Sequence, residues 1–329
     1  MNRWNRPRTG RRLTCLGLAL ALCASVSFAQ QGSYPAKPIT YMVGYGAGSG
    51  IDGVARVVAQ TITANWTQPV VVENRPGVAG YIALDTVSKA APDGYTMLIA
   101  SASDLINQQA SRSAKLDMAR DFAAVSMTGA LPLALVISDS LPVKNVEELV
   151  ALAKARPGKL NYAAVMGASP HFMGEVFKTA RGIDMTMVPY KTTNDATSDV
   201  IGGRVEVMFT TLSAAVTLAQ GKKVRVLAIT GRDRSPAMPD VPTMTELGLP
   251  AVDVGIGYFV VVPKNTPKPV IAALNAQFAK ALGTKDVRDR LIAAGVDPKS
   301  STPDELETAI RSESARWARL VKELGIRVD

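Results

Sequence analysis

The densest set of residues able to do chemistry is Gly48-Ser49-Gly50-Ile51-Asp52-Gly53, which follows an apolar run and opens a helical one. Glycine lets backbone N–H groups come close to an anion, and a helix starting here adds its partial positive end. The six residues also match the G-x-G-x-x-G turn of dinucleotide-binding proteins, and Glu73 stands near the end of the next strand, where an acid would meet a ribose. Gly44, Gly46 and Ala47 make the loop longer than a tight dinucleotide turn. A cradle of backbone donors for a carboxylate therefore fits better, and an exported NAD(P)-dependent oxidoreductase using the Gly48–Gly53 turn is the alternative. Asp52 reads equally as an acid complementing the helix macrodipole or as a group that holds the loop or meets a ligand amine. The second candidate is Gly167-Ala168-Ser169-Pro170-His171. Ser169 and Pro170 suit the N-cap and first position of a helix, and His171, the only histidine, is open to packing, capping or ligand bonding. A lone histidine forms no zinc site of the usual kind, no catalytic triad is assignable, and no cofactor is expected. Tyr190-Lys191, after a strand, offers either a cation for an anion or a solvated loop end.

These residues need elements to carry them. Apolar patterning predicts strands at 39–45, 69–72, 95–100, 133–137, 160–165, 187–190, 205–209, 224–230 and 258–262. Between them lie helical patterns at 54–66, 82–90, 145–155, 169–177, 195–202, 269–282 and 303–324. The alternation implies a largely parallel α/β architecture. In such sheets ligands bind beyond the carboxyl ends of the strands. The unit strand, glycine-containing loop, helix at 39–65 recurs at 160–180, and two such units facing each other would grip an anion from both sides. The last helix carries Trp317 and is expected to pack on the lobe formed by the first strands.

Arg3, Arg6, Arg8, Arg11 and Arg12 precede an almost wholly apolar run, Leu13 to Val26, and Ser27-Phe28-Ala29 supplies small residues at −3 and −1 of a cut. Residues 1–29 are thus expected to be a signal peptide that directs the chain to the periplasm. Both cysteines, Cys15 and Cys23, fall inside it, which excludes disulfides, thiol nucleophiles and cysteine metal sites from the mature chain. Removing five arginines from the net charge of +9 leaves +4. That mild charge, without like-charge blocks, argues against nucleic acid as a partner and suits an anionic ligand.

Dispersed landmarks resemble the Bug-type extracytoplasmic receptors of tripartite tricarboxylate transporters. They are Tyr34 to Ile39, Gly46-Ala47-Gly48 with Asp52 and Ala55-Arg56, Val71 to Gly77, Ala91 to Thr96, Ala155 to Tyr162, Val188 to Lys191, Gly202-Gly203, and Pro239 to Thr243 with Glu246 and Gly248. The resemblance spans essentially the whole mature chain. It implies a two-lobed periplasmic binding protein, or Venus flytrap, fold of the α/β class with a ligand cleft between the lobes. Lobe 1 would comprise 30–131 plus 255–329, and lobe 2 would comprise 132–254. It further implies a non-enzymatic monomer that captures a small organic carboxylate and delivers it to membrane permease subunits. By position, the binding residues would be Tyr45, Ala47, Gly48, Ser49 and Asp52 in the first loop, Ser101 and Ser103 after a cleft-facing strand, Gly167, Ala168, Ser169 and His171 in the second loop, and Tyr190 with Thr192. Departures from the family pattern fall at Tyr45, Thr192, Asp195, Thr210 and Gly257.

Overall fold

The computed structural model describes residues 1, 34–77, 80–111, 115–231, 233–235, 237–253 and 257–325. Apart from Met1, the expected signal peptide and its cleavage site lie outside the described residues. The chain divides into Met1–Ala36 and a compact unit Lys37–Asp329, and every helix and strand named below belongs to the latter.

Two five-stranded sheets share one strand order. The first is β2-β1-β3-β10-β4, with β1 Ile39–Val43, β2 Val70–Asn74, β3 Thr96–Ser101, β4 Phe122–Gly129 and β10 Tyr258–Pro263. The second is β7-β6-β8-β5-β9, with β5 Leu133–Ser138, β6 Asn161–Val165, β7 Thr186–Tyr190, β8 Val207–Thr211 and β9 Val224–Ile229. Helices α1 Gly50–Asn65, α2 Tyr81–Ser88, α3 Ala102–Ala110 and α4 Met118–Asp121 belong to the first half of the chain. Helices α5 Val146–Ala155, α6 Ser169–Arg181, α7 Thr193–Ile201 and α8 Leu212–Gln220 lie between the strands of the second sheet, and α9 Lys268–Gly283, α10 Lys285–Ala293 and α11 Pro303–Leu324 end the chain.

In each sheet three strands run parallel and the fourth is antiparallel to both neighbours: β10 between β3 and β4, and β5 between β8 and β9. Both antiparallel strands are the first to arrive from the other sheet. A parallel neighbour requires a crossover of about a dozen residues or more, whereas a strand delivered from elsewhere is free of that requirement. The sheets are therefore mixed, which corrects the expectation of a largely parallel architecture while keeping the α/β class.

β1, β3, β5 and β10 are buried on nearly every residue, as strands covered on both faces must be. α1 buries Ile51, Val54, Ala55, Val58, Ala59 and Ile62, the helical spacing of a single apolar stripe. One core cluster reaches across the molecule. It joins Ala102 and Ile106 of α3 and Trp317 and Val321 of α11 to Leu133 and Leu135 of β5 and Phe172 and Met173 of α6. Trp317 is fully buried and meets Phe172 edge-on, with ring centroids 5.9 Å apart. Its helix packs on α3 and β4, as expected, and the ring also reaches α6 beside the second sheet.

The segments passing between the sheets touch at Gly257. A Cβ there would overlap the Gly129 carbonyl oxygen and lie 2.8 Å from Ala130 Cα. The departure at 257 has this physical reason, since no side chain fits where the two connections pass.

Candidate functional site

Three helices begin around one cavity of about 200 Å³. Tyr45, Ser49, Gly50 and Ile51 line it from the end of the β1–α1 loop, Ser101, Ala102 and Ser103 from the β3–α3 junction, and Ser169 from the start of α6. Leu131 and Leu133, where the chain enters β5, and Gly257 and Tyr258, where it enters β10, complete the lining. The sheet topology dictates this convergence, because β1, β3 and β6 all end on the cleft and each leads into a helix. The first N–H groups of a helix lack intrahelical partners, and the aligned peptide dipoles leave roughly half a positive charge there. In α1 the first intrahelical bond runs from Gly53 N–H to Ser49 O, at 3.0 Å, so the N–H groups of Gly50 and Ile51 precede it. Among the described residues no lysine, arginine or histidine lines the cavity. Its polar character comes from hydroxyls and helix ends.

The hydroxyls are not equivalent. Ser103 and Ser169 are joined to each other across the cleft, Oγ to Oγ, at 2.8 Å. Tyr45 donates its hydroxyl to Asp104 Oδ1 at 3.0 Å, and Asp104 Oδ2 accepts from the Ser101 N–H and Oγ–H at 2.7 and 2.8 Å. Asp104 is buried, and burial pushes its carboxyl up to about 6 even though the Ser101 and Tyr45 bonds pull the other way. Burial, with Asp104 beside it, also raises the Tyr45 phenol well above its ordinary value and takes the Tyr258 phenol up to about 12. Both tyrosines are neutral donors at neutral pH. The Ser49 Oγ is buried in the lining with no hydrogen-bond partner among the described residues.

Of the residues singled out from the sequence, the structure brings together Tyr45, Ser49, Ser101, Ser103 and Ser169. The others do not line it. Asp52 holds the first loop: its Oδ2 accepts from Gly48 N–H at 2.8 Å and Arg56 Nε at 3.0 Å, and its Oδ1 from Asn74 Nδ2 at 2.8 Å. Burial raises the Asp52 carboxyl, but these donors outweigh it and hold the group below its ordinary value. Gly48, at φ +83°, adopts a left-handed conformation that suits glycine, and its N–H is taken by Asp52. Ala47 is exposed. In the second loop the cap of α6 is Ala168, one residue earlier than read from the sequence. Gly167 N–H donates to His171 Nδ1 at 3.3 Å, and the buried His171 ring lies 5.2 Å from that of Phe172. Burial holds the imidazole below its ordinary value, so it is neutral at neutral pH. Tyr190 donates to Asp199 at 2.7 Å, and Thr192 caps α7 by accepting from Asp195 N–H at 3.2 Å.

Gly50, Ile51, Ala102, Leu131, Leu133, Gly257 and Tyr258 complete the lining without having been singled out as binding residues. Gly50 and Ile51 carried a signal inside the glycine turn, and Gly257 as a departure from the family pattern. The leucines and Tyr258 read as ordinary strand and core residues. The dinucleotide reading finds no support in the geometry of its acid, since Glu73 accepts from Arg75 at the surface, 2.7 Å away.

A family model described as the tripartite tricarboxylate transporter family receptor matches residues 54–326. Protein BugT of Bordetella pertussis is 35% identical over 97% of this chain and 98% of its own length. Among solved structures, R. palustris Rpa4515 with adipate superposes with a TM-score of 0.77 at 31% identity, covering 89% of this chain and 99% of that one. MatC from Rhodopseudomonas palustris with bound malate gives 0.74 at 28% identity, covering 88% and 100%. The two mixed sheets and the cleft between them are the two-lobed architecture of periplasmic binding proteins, and the chain belongs to the receptor family of the tripartite tricarboxylate transporters.

Proposed function

We propose that the chain is a periplasmic solute receptor. It takes a small organic carboxylate into the cavity where α1, α3 and α6 begin and hands it to the permease subunits of a tripartite tricarboxylate-type transporter. The observation that carries this reading is the convergence of three helix N-termini and an unpartnered serine hydroxyl on one cavity. Such a site favours an anion without a cationic side chain. The adipate and malate bound to related receptors support the same ligand class. Residues 1–29 act as the export signal, and the mature chain works as a monomer that catalyses nothing. Lobe 1, residues 30–131 with 255–329, and lobe 2, residues 132–254, close on the ligand, and the Ser103–Ser169 contact is made as the lobes meet. Hinge closure of this kind stabilises whichever state the ligand contacts better.

Thermal unfolding of ligand-stripped protein against a panel of organic acids and nicotinamide cofactors tests this. A carboxylate is expected to raise the midpoint in a concentration-dependent way, and NAD(H) and NADP(H) are expected to leave it unchanged. A shift with a nicotinamide cofactor and none with any acid would overturn the receptor reading in favour of the oxidoreductase.

A further inference from the structure

We infer that the ligand of this cavity carries a single carboxylate on an apolar body, and that the receptor discriminates against dicarboxylates. This rests on the carboxylate-receptor reading and narrows it. The first ground is which donors remain available. Ser103 and Ser169 share one hydrogen bond, in which one hydroxyl donates and the other accepts, and Tyr45 and Ser101 both donate to Asp104. A cluster of donors gathers at the start of α1: the buried Ser49 Oγ, the N–H groups of Gly50 and Ile51, and the Tyr258 hydroxyl, 3.5 Å from where a Gly50 Cβ would stand. A carboxylate has two oxygens and accepts about four hydrogen bonds, so this cluster is filled by one.

The second ground is charge. Three helix ends supply roughly half a charge each. Asp104, buried and bonded to Tyr45 and Ser101, subtracts from that sum when ionised. One ligand carboxylate takes that sum from about +0.5 to about −0.5, and a second would take it to about −1.5. The third ground is the remaining wall. The side chains of Ile51, Ala102, Leu131 and Leu133 offer no donor, and a carboxylate placed against them would lose its water without compensation.

Titration calorimetry of the whole protein with matched pairs decides it: hexanoate against adipate, benzoate against terephthalate, and the neutral hexanamide and benzamide. The monocarboxylate of a pair is expected to bind at least tenfold more tightly than its dicarboxylate. Leu131→Arg, at a half-buried position on the wall, is expected to shift that ratio at least tenfold toward the dicarboxylate. A dicarboxylate that binds the unaltered protein as tightly as its partner or more so would overturn the inference and leave the carboxylate reading standing. Amides that bind as tightly as the acids, or no binding by any of the six compounds, would overturn both. Should Leu131→Arg fail to fold, the pairs on the unaltered protein decide alone.

Discussion

Ser49 and Asp104 do opposite things at the same wall of the cavity. Ser49 keeps a buried hydroxyl without a partner, and a hydrogen bond to an ionised group contributes about 1.5–3 kcal/mol net. Ser49→Ala is therefore expected to weaken carboxylate binding roughly tenfold to a hundredfold, read by calorimetry, and to leave the unfolding midpoint of the free protein nearly unchanged. Asp104 is buried and its carboxyl stands at about 6 against an ordinary 3.8. A carboxyl raised in this way favours the native state only while protonated. That contribution is complete below about pH 4 and is lost as pH rises through about 6. Asp104→Asn should thus gain stability relative to the unaltered protein between pH 4 and pH 7, by an amount of the order of 3 kcal/mol. Urea unfolding of both proteins at the two pH values measures it, and a difference independent of pH would contradict the account. At this scale the sequence was partly legible. The glycine turn and the Gly167–His171 loop announced themselves by type, whereas Ser101 and Ser103 were reached only through the family resemblance. Asp104 did not, because a single acid in a polar-looking stretch carries no mark of burial, and the lining leucines have no feature that separates them from core.

Elements were readable where their apolar pattern was long. β1, β3, β5 and β10 follow from runs such as Ile39–Val43 and Tyr258–Pro263. β4 and α3 were missed for a physical reason. β4 reads FAAVSMTG, so its buried residues mix Phe122 and Val125 with small and hydroxyl ones, Ser126 and Thr128 among them. α3 turns Asp104 and Gln108 toward partners: Gln108 accepts from Met118 N–H at 2.8 Å and donates to Asp117 at 3.1 Å. A helix whose polar groups are satisfied in this way hides its apolar stripe from a count. The antiparallel placement of β5 and β10 was equally hidden, since it depends on where each strand arrives from. At the junction of elements, Trp317 fills the space between α11 and Phe172 of α6. Trp317→Ala should cost about 3–5 kcal/mol in denaturant unfolding, and a loss under about 1 kcal/mol would show that the shared core is not where the halves are held. Gly257→Ala should destabilise as well, because its Cβ meets the backbone of the opposite connection.

The whole molecule is two copies of one strand order, each completed by a strand from the other half, with a common core on the α3–α6–α11 side. That arrangement lets β1–α1 and β6–α6 face one another, as their shared sequence pattern suggested, and leaves the cavity between them. A ligand that binds only the folded state stabilises it by about 2.7 kcal/mol at a concentration one hundred times its Kd, which is ample for detection. The central claim is that the cavity holds an ionised carboxylate by helix ends and hydroxyls. Calorimetric titration of the best-binding acid beside its methyl ester tests this most directly. The acid is expected to bind at least tenfold more tightly, since the ester lacks the charge that three helix N-termini favour. Equal affinity for acid and ester would contradict it.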